Sequence, residues 1–423
     1  MSLPAQLLDP LPQVYVTSTP GIGGSLKQRP DDFLVNELPL YEPCGEGEHL
    51  YLRIQKRGLS HGELMRALCR YFRVKENRIG FAGMKDKHAV TSQLFSIHTP
   101  QDCAPDAEIH RNARIEWVDR HANKLRLGHL QGNRFSIRVR DVDPMAAPQA
   151  EAIVRALTEY GVPNFFGSQR FGYRRNNHIL GGLLLARDWQ GYLDELLGPQ
   201  GSAFPEFQRE RRALYEQGEL RESYAQWAPA DHAERAALRG LHETGSDRRA
   251  VLAIGRRGLS FSINALQSAV FNHLLAQRIA AGTLNQIEPG DLAWKHDSRA
   301  VFAVDEEAAA SAVEQHRIRQ RETSPSGPLF GSGMTAAAGV VLERELAALA
   351  AFGLSPKDFD DLPTRVDGAR RPFRTMITHP EVDSGVDEHG PYVRVAFDLE
   401  RGSYATVVLR EIMKIDGASD DEE

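Results

Sequence analysis

Apolar and polar residues alternate along several short stretches of this chain, and each predicts a half-buried strand. Phe33 and Val35 alternate after a turn at Arg29-Pro30-Asp31. Leu50, Leu52 and Ile54 do so in HLYLRIQKR, and Phe135, Ile137 and Val139 in NRFSIRVR. ARIEWV adds another strand, and NRIGFAG reads as a short one that ends at Gly83. Between these the period changes. Ser60 and Glu63 form an S-x-x-E capping box, after which Leu64, Leu68, Tyr71 and Phe72 follow helical spacing. DPMAAPQAEAIVRALTEYG predicts a second helix, with proline in its first turn and Gly161 at its end.

After Pro163 the texture shifts. NFFGSQRFGYRRNNH is glycine-broken, aromatic and basic. From Gly198 to Arg249 the chain is polar and rich in Arg and Glu, helical or loosely ordered, without a motif. SFSINALQSAVFNHLLAQRIAAG predicts a long helix with Leu266, Val270, Leu274 and Leu275 on one face and Gly282 at its end. SPSGPLFGSGM reads as a loop, and AGVVLERELAALAAFG as a further helix. Strand alternation returns only at Val393, Val395, Phe397 and Leu399; a turn at Arg401-Gly402 then leads into a helix capped by Ser403. Strand-rich ends around a helix-rich middle predict an α+β domain interrupted by an insert.

The 423 residues exceed what one core usually organises, so two domains are expected. No apolar run is long enough for a membrane span, and no basic segment leads into an apolar stretch as in a secretory signal. Cys44, Cys69 and Cys103 form no CxxC pair, which disfavours both a disulfide framework and a zinc site and points to a reducing cytoplasm. The net charge of −6 hides an asymmetry: Leu52–Arg140 carries 18 Lys and Arg against 8 Asp and Glu, a local excess of +10. The chain ends in DGASDDEE, an acidic tail expected to be solvated. A basic segment in a mildly acidic protein suggests a polyanion met locally.

Within that segment, GFAGMKDKHAVTSQ places Asp86 between Lys85 and Lys87 and next to His88. Adjacent cations favour an ionised carboxylate, which is a poor general acid but a usable nucleophile or weak base. HExxH, Walker and GxSxG patterns are missing, and neither His88 nor His61 has a partner at metal-ligand spacing, so no metal is expected. By itself Asp86 also fits an exposed turn. The company it keeps argues otherwise. QGNRF supplies an amide, a cation and a ring in Asn133, Arg134 and Phe135, the groups a flipped nucleobase needs at its edge, its phosphate and its face. FGSQRFGYRR adds Arg170, Arg174 and Arg175 with Phe171 and Tyr173, although core packing is the plainer reading for Phe165 and Phe171.

FAGMKDKHAVTSQ closely resembles the G-x-K-D-x-x-A-x-T-x-Q signature of the TruD family of tRNA pseudouridine synthases. KQRPDDFLVNE, GHLQGNRF, GVPNFFGSQRFG, QSAVFNHLLAQR and GSYATVVLREIMK extend the resemblance from about Lys27 to Lys414. It implies isomerisation of uridine to pseudouridine in tRNA, at position 13 for bacterial members, without a cofactor. It also implies a circularly permuted pseudouridine-synthase domain over 1–160 and 372–423, an insert domain over 161–371, and RNA lying between them. Residue by residue, Asp86 matches the catalytic aspartate and Phe135 the ring that stacks on the base. Asn133 and Lys27 match polar residues near the site, with Lys85 beside them, while Met84 has no assigned role. A cytoplasmic monomer that acts on tRNA is expected, without a membrane or an obligate protein partner. Two rivals remain at this level: a tRNA-folding chaperone that binds without chemistry, and a carboxylate-dependent glycosidase, which would need a second carboxylate.

Overall fold

The computed structural model describes residues 3–360 and 366–415, so the acidic tail lies outside the described residues. The chain divides into two compact units. One joins Val16–Val162 to the residues from Thr375 onward; the other joins the described part of Met1–Tyr15 to Pro163–Arg374.

The first unit is built on a sheet of nine strands among the described residues. They are β1 (Phe33–Pro39), β2 (His49–Arg57), β3 (Ile79–Phe81), β4 (Val90–His98), β5 (Glu108–His110), β6 (Ala113–His121), β7 (Leu130–Arg140), β8 (Ile377–Asp387) and β9 (Gly390–Glu400). The spatial order is β8-β9-β7-β1-β4-β2-β6-β5, with β3 also on β4; β1 and β4 are parallel and the other pairs antiparallel. Among the described residues three α-helices belong to this unit: α1 (His61–Phe72), α2 (Ala147–Tyr160) and α3 (Ala405–Met413). The Ser60–Glu63 capping box forms as expected at α1, and Leu64 and Leu68 pack into a core with Leu52, Ile54 and Phe95. α2 ends on Gly161 at φ 89°, a conformation that favours glycine.

Two features at the C-terminal end differ from expectation. Strand β8 is mostly exposed, carries Pro380 and is bulged between Thr378 and Glu381, so its sequence shows no alternation. Helix α3 starts after Tyr404 without a side-chain cap; Ser403 instead shares a hydrogen bond with Thr375.

Buried in α3, Glu411 accepts the Val16 amide at 3.1 Å and so ties down the segment that leads to Lys27. Burial pushes its carboxyl up to about 7. The folded state therefore holds a proton that the unfolded state loses from about pH 4.5 upward, and stability falls as pH rises through that window. Glu411→Gln is expected to remove this slope and to raise stability at pH 8 by roughly 1–3 kcal/mol. Melting curves from pH 5 to pH 8 read both effects.

In the second unit, a four-stranded antiparallel sheet runs in the order 301–303, 292–295, 323–329, 369–372. The long helix Arg256–Ala280 packs on Asn177–Leu185, where a methyl group on Gly181 would lie 2.3 Å from the Ser262 carbonyl. SPSGPLFGSGM, expected as a loop, supplies an inner strand, Thr323–Leu329. Its small residues are what the packing requires, because a methyl group at Gly327 would meet the Phe373 ring at 2.5 Å. The polar Gly198–Arg249 stretch folds into helices Arg209–Glu216, Leu220–Gln226, His232–Thr244 and Asp247–Ala253. They enclose buried guanidiniums, with Arg211 4.1 Å from the Trp227 ring centre. The described part of Met1–Tyr15 belongs to this unit: His178 on Asn177–Leu185 bonds the Leu7 carbonyl, and Asn272 on Arg256–Ala280 donates to that of Pro10.

Candidate active site

The loop 82–89 joins β3 to β4 and carries Asp86. One side-chain oxygen of Asp86 accepts the His88 amide at 3.1 Å, a local turn that orients the carboxylate. The other takes a 2.6 Å ion pair from Lys27. Lys27 reaches it from a left-handed backbone position, φ 56°, in the segment held by α3. Burial pushes the Asp86 carboxyl up, but the Lys27 hydrogen bond and charge together with the His88 amide outweigh it, and the net direction is down.

That direction agrees with the ionised state expected from the sequence, with a different cause. Lys85 turns away and pairs with buried Glu37 at 2.6 Å, and Lys87 is exposed. Glu37 also accepts the Leu94 amide at 3.2 Å, so the Lys85–Glu37 pair fastens the loop to β1 and β4. Glu37 was not foreseen, because no local pattern links it to a loop 48 positions away.

Lys27 also sits 5.1 Å from the Phe33 ring centre, and Phe33 packs edge-on against Phe135 at 6.3 Å. Phe135 is 8% exposed, with its far side against Phe397 at 5.7 Å. Asn133 lies two residues before Phe135 on β7 and so shares its face of the sheet. The Asn133 Oδ1 is buried and has no hydrogen-bond partner among the described residues. Asp86, Lys27, Lys85, Asn133 and Phe135 thus all belong to the sheet unit.

The basic residues expected to bind RNA are placed differently. Arg134 alternates to the opposite face of β7 from Asn133 and Phe135, and there bonds Asp398 at 3.1 Å and Glu381 at 2.5 Å. Its cation is neutralised within the sheet. Arg174 is buried in the helical unit and donates to the carbonyls of Glu195 and Ser202, each at 2.7 Å. Its guanidinium thus ties the segments at 195 and 202 to the Arg174 backbone. Arg170 lies 5.2 Å from the Phe166 ring centre, and Arg175 is half-buried with a left-handed backbone. Phe165 and Phe171 are core residues, while Tyr173 is exposed.

Among the described residues no group of His, Cys, Asp and Glu could hold a metal ion, and no helix is long and apolar enough to cross a membrane. Two cavities of about 310 and 610 Å³ lie in the helical unit, and neither is lined by any residue of the Asp86 loop.

This architecture is shared, over nearly the whole chain, with proteins already known. The family model of tRNA pseudouridine synthase D (TruD) matches residues 12–412, and the chain belongs to that family. A Geobacter sulfurreducens relative named tRNA pseudouridine synthase D is 41% identical over 406 residues, 95% of this chain and 97% of its own length. A Syntrophotalea carbinolica relative of the same name is 39% identical over 408 residues, 95% of this chain and 99% of the relative. The solved structure of a Methanosarcina mazei protein, described as a candidate tRNA pseudouridine synthase D, superposes with a TM-score of 0.85 at 28% identity; the match covers 98% of this chain and 99% of that one.

Proposed function

We propose that this protein isomerises uridine to pseudouridine in tRNA, at position 13, as a cytoplasmic monomer that uses no cofactor and Asp86 as the catalytic carboxylate. The name its relatives carry supports the tRNA isomerisation. The observation that carries the residue assignment is the Asp86 carboxylate itself. It is held ionised by Lys27 and the His88 amide, on a loop fastened to the sheet that presents Asn133 and Phe135. In this reading residues 1–160 and 372–423 form the catalytic domain and 161–371 the insert. The compact sheet unit supports that division except at the described part of Met1–Tyr15, which packs with the helices.

The reaction breaks the C1′–N1 bond with its electron pair left on uracil, turns the base, and joins C5 to C1′. The C5 proton is lost and N1 gains one, so the atoms balance without a co-reactant. Uracil cannot turn inside a stacked helix and must be flipped out, at a cost of about a few kcal/mol. Asp86 supplies the charge for this sequence, as nucleophile or as base at the ribose. Asn133 offers an unpartnered acceptor, and the uracil N3–H is a donor that would fill it. Phe135 is the ring that would stack on the detached base. The test is incubation with an unmodified tRNA transcript followed by position-resolved pseudouridine detection. Free uracil in place of pseudouridine, or annealing without either product, would overturn the reading.

Because Phe135 is packed on both sides, alanine would confound rate with folding. Phe135→Leu keeps an apolar side chain and removes the ring. Single-turnover rate per folded molecule is expected to fall by about 10- to 100-fold, the worth of one base stack, with the fold intact by circular dichroism. An unchanged rate per folded molecule would make Phe135 a core residue only.

A further inference from the structure

The lysine at the end of β2 is fully buried, yet among the described residues no carboxylate bonds it. Lys56 is 0% exposed, and its ammonium donates to three backbone carbonyls: Leu59 at 2.7 Å, Asp86 at 2.6 Å and Lys85 at 3.4 Å. Two of these are the peptides on either side of the Asp86 Cα. An ammonium has three N–H groups, and each here has one acceptor. Such burial is costly, and a neutral side chain of the same length would fill the space at less cost. What an apolar side chain cannot do is hold the Lys85 and Asp86 carbonyls in one direction. Other loop bonds act farther from the carboxylate: Gly128 on the Ala82 carbonyl at 2.8 Å, Gln93 on Gly83 at 3.0 Å and Gly58 on Ala89 at 3.2 Å.

We infer that Lys56 is a positioning residue for the Asp86 carboxylate, fixing the peptides around it so that the side chain meets the flipped uridine without reorganisation. This rests on the reaction proposed above. The elements around Lys56 leave its charge open to titration. The loop presents Asp86, whose negative charge favours the ammonium, and Lys85, which opposes it. Helix α1 presents His61, and the facing strand residues, Thr91 on β4 and Ala113 on β6, are uncharged. Burial is the largest influence and brings Lys56 down to about 8. Above that pH the group loses one of its three donors.

The test compares wild type, Lys56→Met and Lys56→Ala on tRNA transcript. With Lys56→Met, kcat is expected to fall about 100-fold, the order that a misplacement near 1 Å costs, while KM stays within about threefold. The wild-type kcat is expected to decline above about pH 8, and the Lys56→Met profile to lose that decline. In Lys56→Ala, added n-propylamine is expected to restore kcat at least about tenfold at constant folded fraction. The inference is overturned if Lys56→Met keeps kcat within about threefold of wild type. It is also overturned if the amine restores only folded fraction, or if activity per folded molecule never changes. Pseudouridine from wild type together with an active Lys56→Met leaves the reaction standing and removes the role of Lys56. No pseudouridine from wild type removes both.

Discussion

Asp86→Asn is expected to reduce pseudouridine formation by about 10⁴-fold or more, the scale on which loss of a single nucleophile or base acts. Transcript binding should stay within a few-fold. The amide is nearly isosteric and can still accept the His88 amide, so the loop keeps its turn. What disappears is the charge that Lys27 pairs with. Retained turnover in Asp86→Asn or Asp86→Ala would end the assignment. The pH profile supplies an independent reading. With its carboxyl held below the ordinary value of 3.8, Asp86 stays ionised across the working range and adds no acid limb above it. In Lys27→Met, burial would act with the main opposing influence gone, and an acid limb should climb into the carboxylate range or above it. An unchanged acid limb in that variant would mean that Lys27 does not govern Asp86.

Arg140→Met is expected to destabilise the sheet unit by about 3–5 kcal/mol, the usual cost of leaving a buried charge unpaired. Arg140 is 2% exposed at the end of β7. Its guanidinium bonds Asp32 at 2.6 and 2.9 Å, Asp387 at 2.7 and 2.8 Å and the Gly390 carbonyl at 3.3 Å. It therefore locks the β8–β9 turn and the turn before β1 to one strand end. Asp32 is 1% exposed and would lose the guanidinium it is bonded to. Hydrogen exchange of the β7 and β9 amides during urea titration reads the loss locally. The double replacement Arg140→Met with Asp32→Leu should recover much of it, since an apolar pair of similar volume often matches a buried ion pair. A double variant no better than the single one would show that the carboxylate is not the source of the cost.

Much of this was legible in the chain because it is written locally. The capping box at Ser60–Glu63, the alternation in β2 and β7 and the aspartate motif each occupy a short window. The expectations from which the structure departs share a cause. Sequence adjacency suggested that Lys85 and Lys87 hold Asp86 ionised, but the partner comes from 59 positions away. Arg134 stands next to Phe135 in sequence, yet pleating sends it to the other face of the sheet. Arg174 looked like part of an RNA surface because composition carries no record of burial. Lys56 and Glu37 had no signal at all. A lysine in an alternating strand reads as solvent-facing until the loop it supports is in place. The strand 323–329 was hidden by its prolines and glycine, the residues that let Phe373 pack against it.

The pairing of β7 with β9 has a consequence for biosynthesis. Arg140 and its acceptor at Gly390 are 250 positions apart. At 5–20 residues per second, a ribosome needs about 10–50 s to cover that interval. Throughout it, β7 is the open border of an unfinished sheet, and the row that includes Phe135 lacks the cover of Phe397. The nascent chain thus already carries Asp86 and its loop long before the strand that completes their scaffold exists. Messages cut short between these two points should yield chains that aggregate or are degraded, and no partially active enzyme.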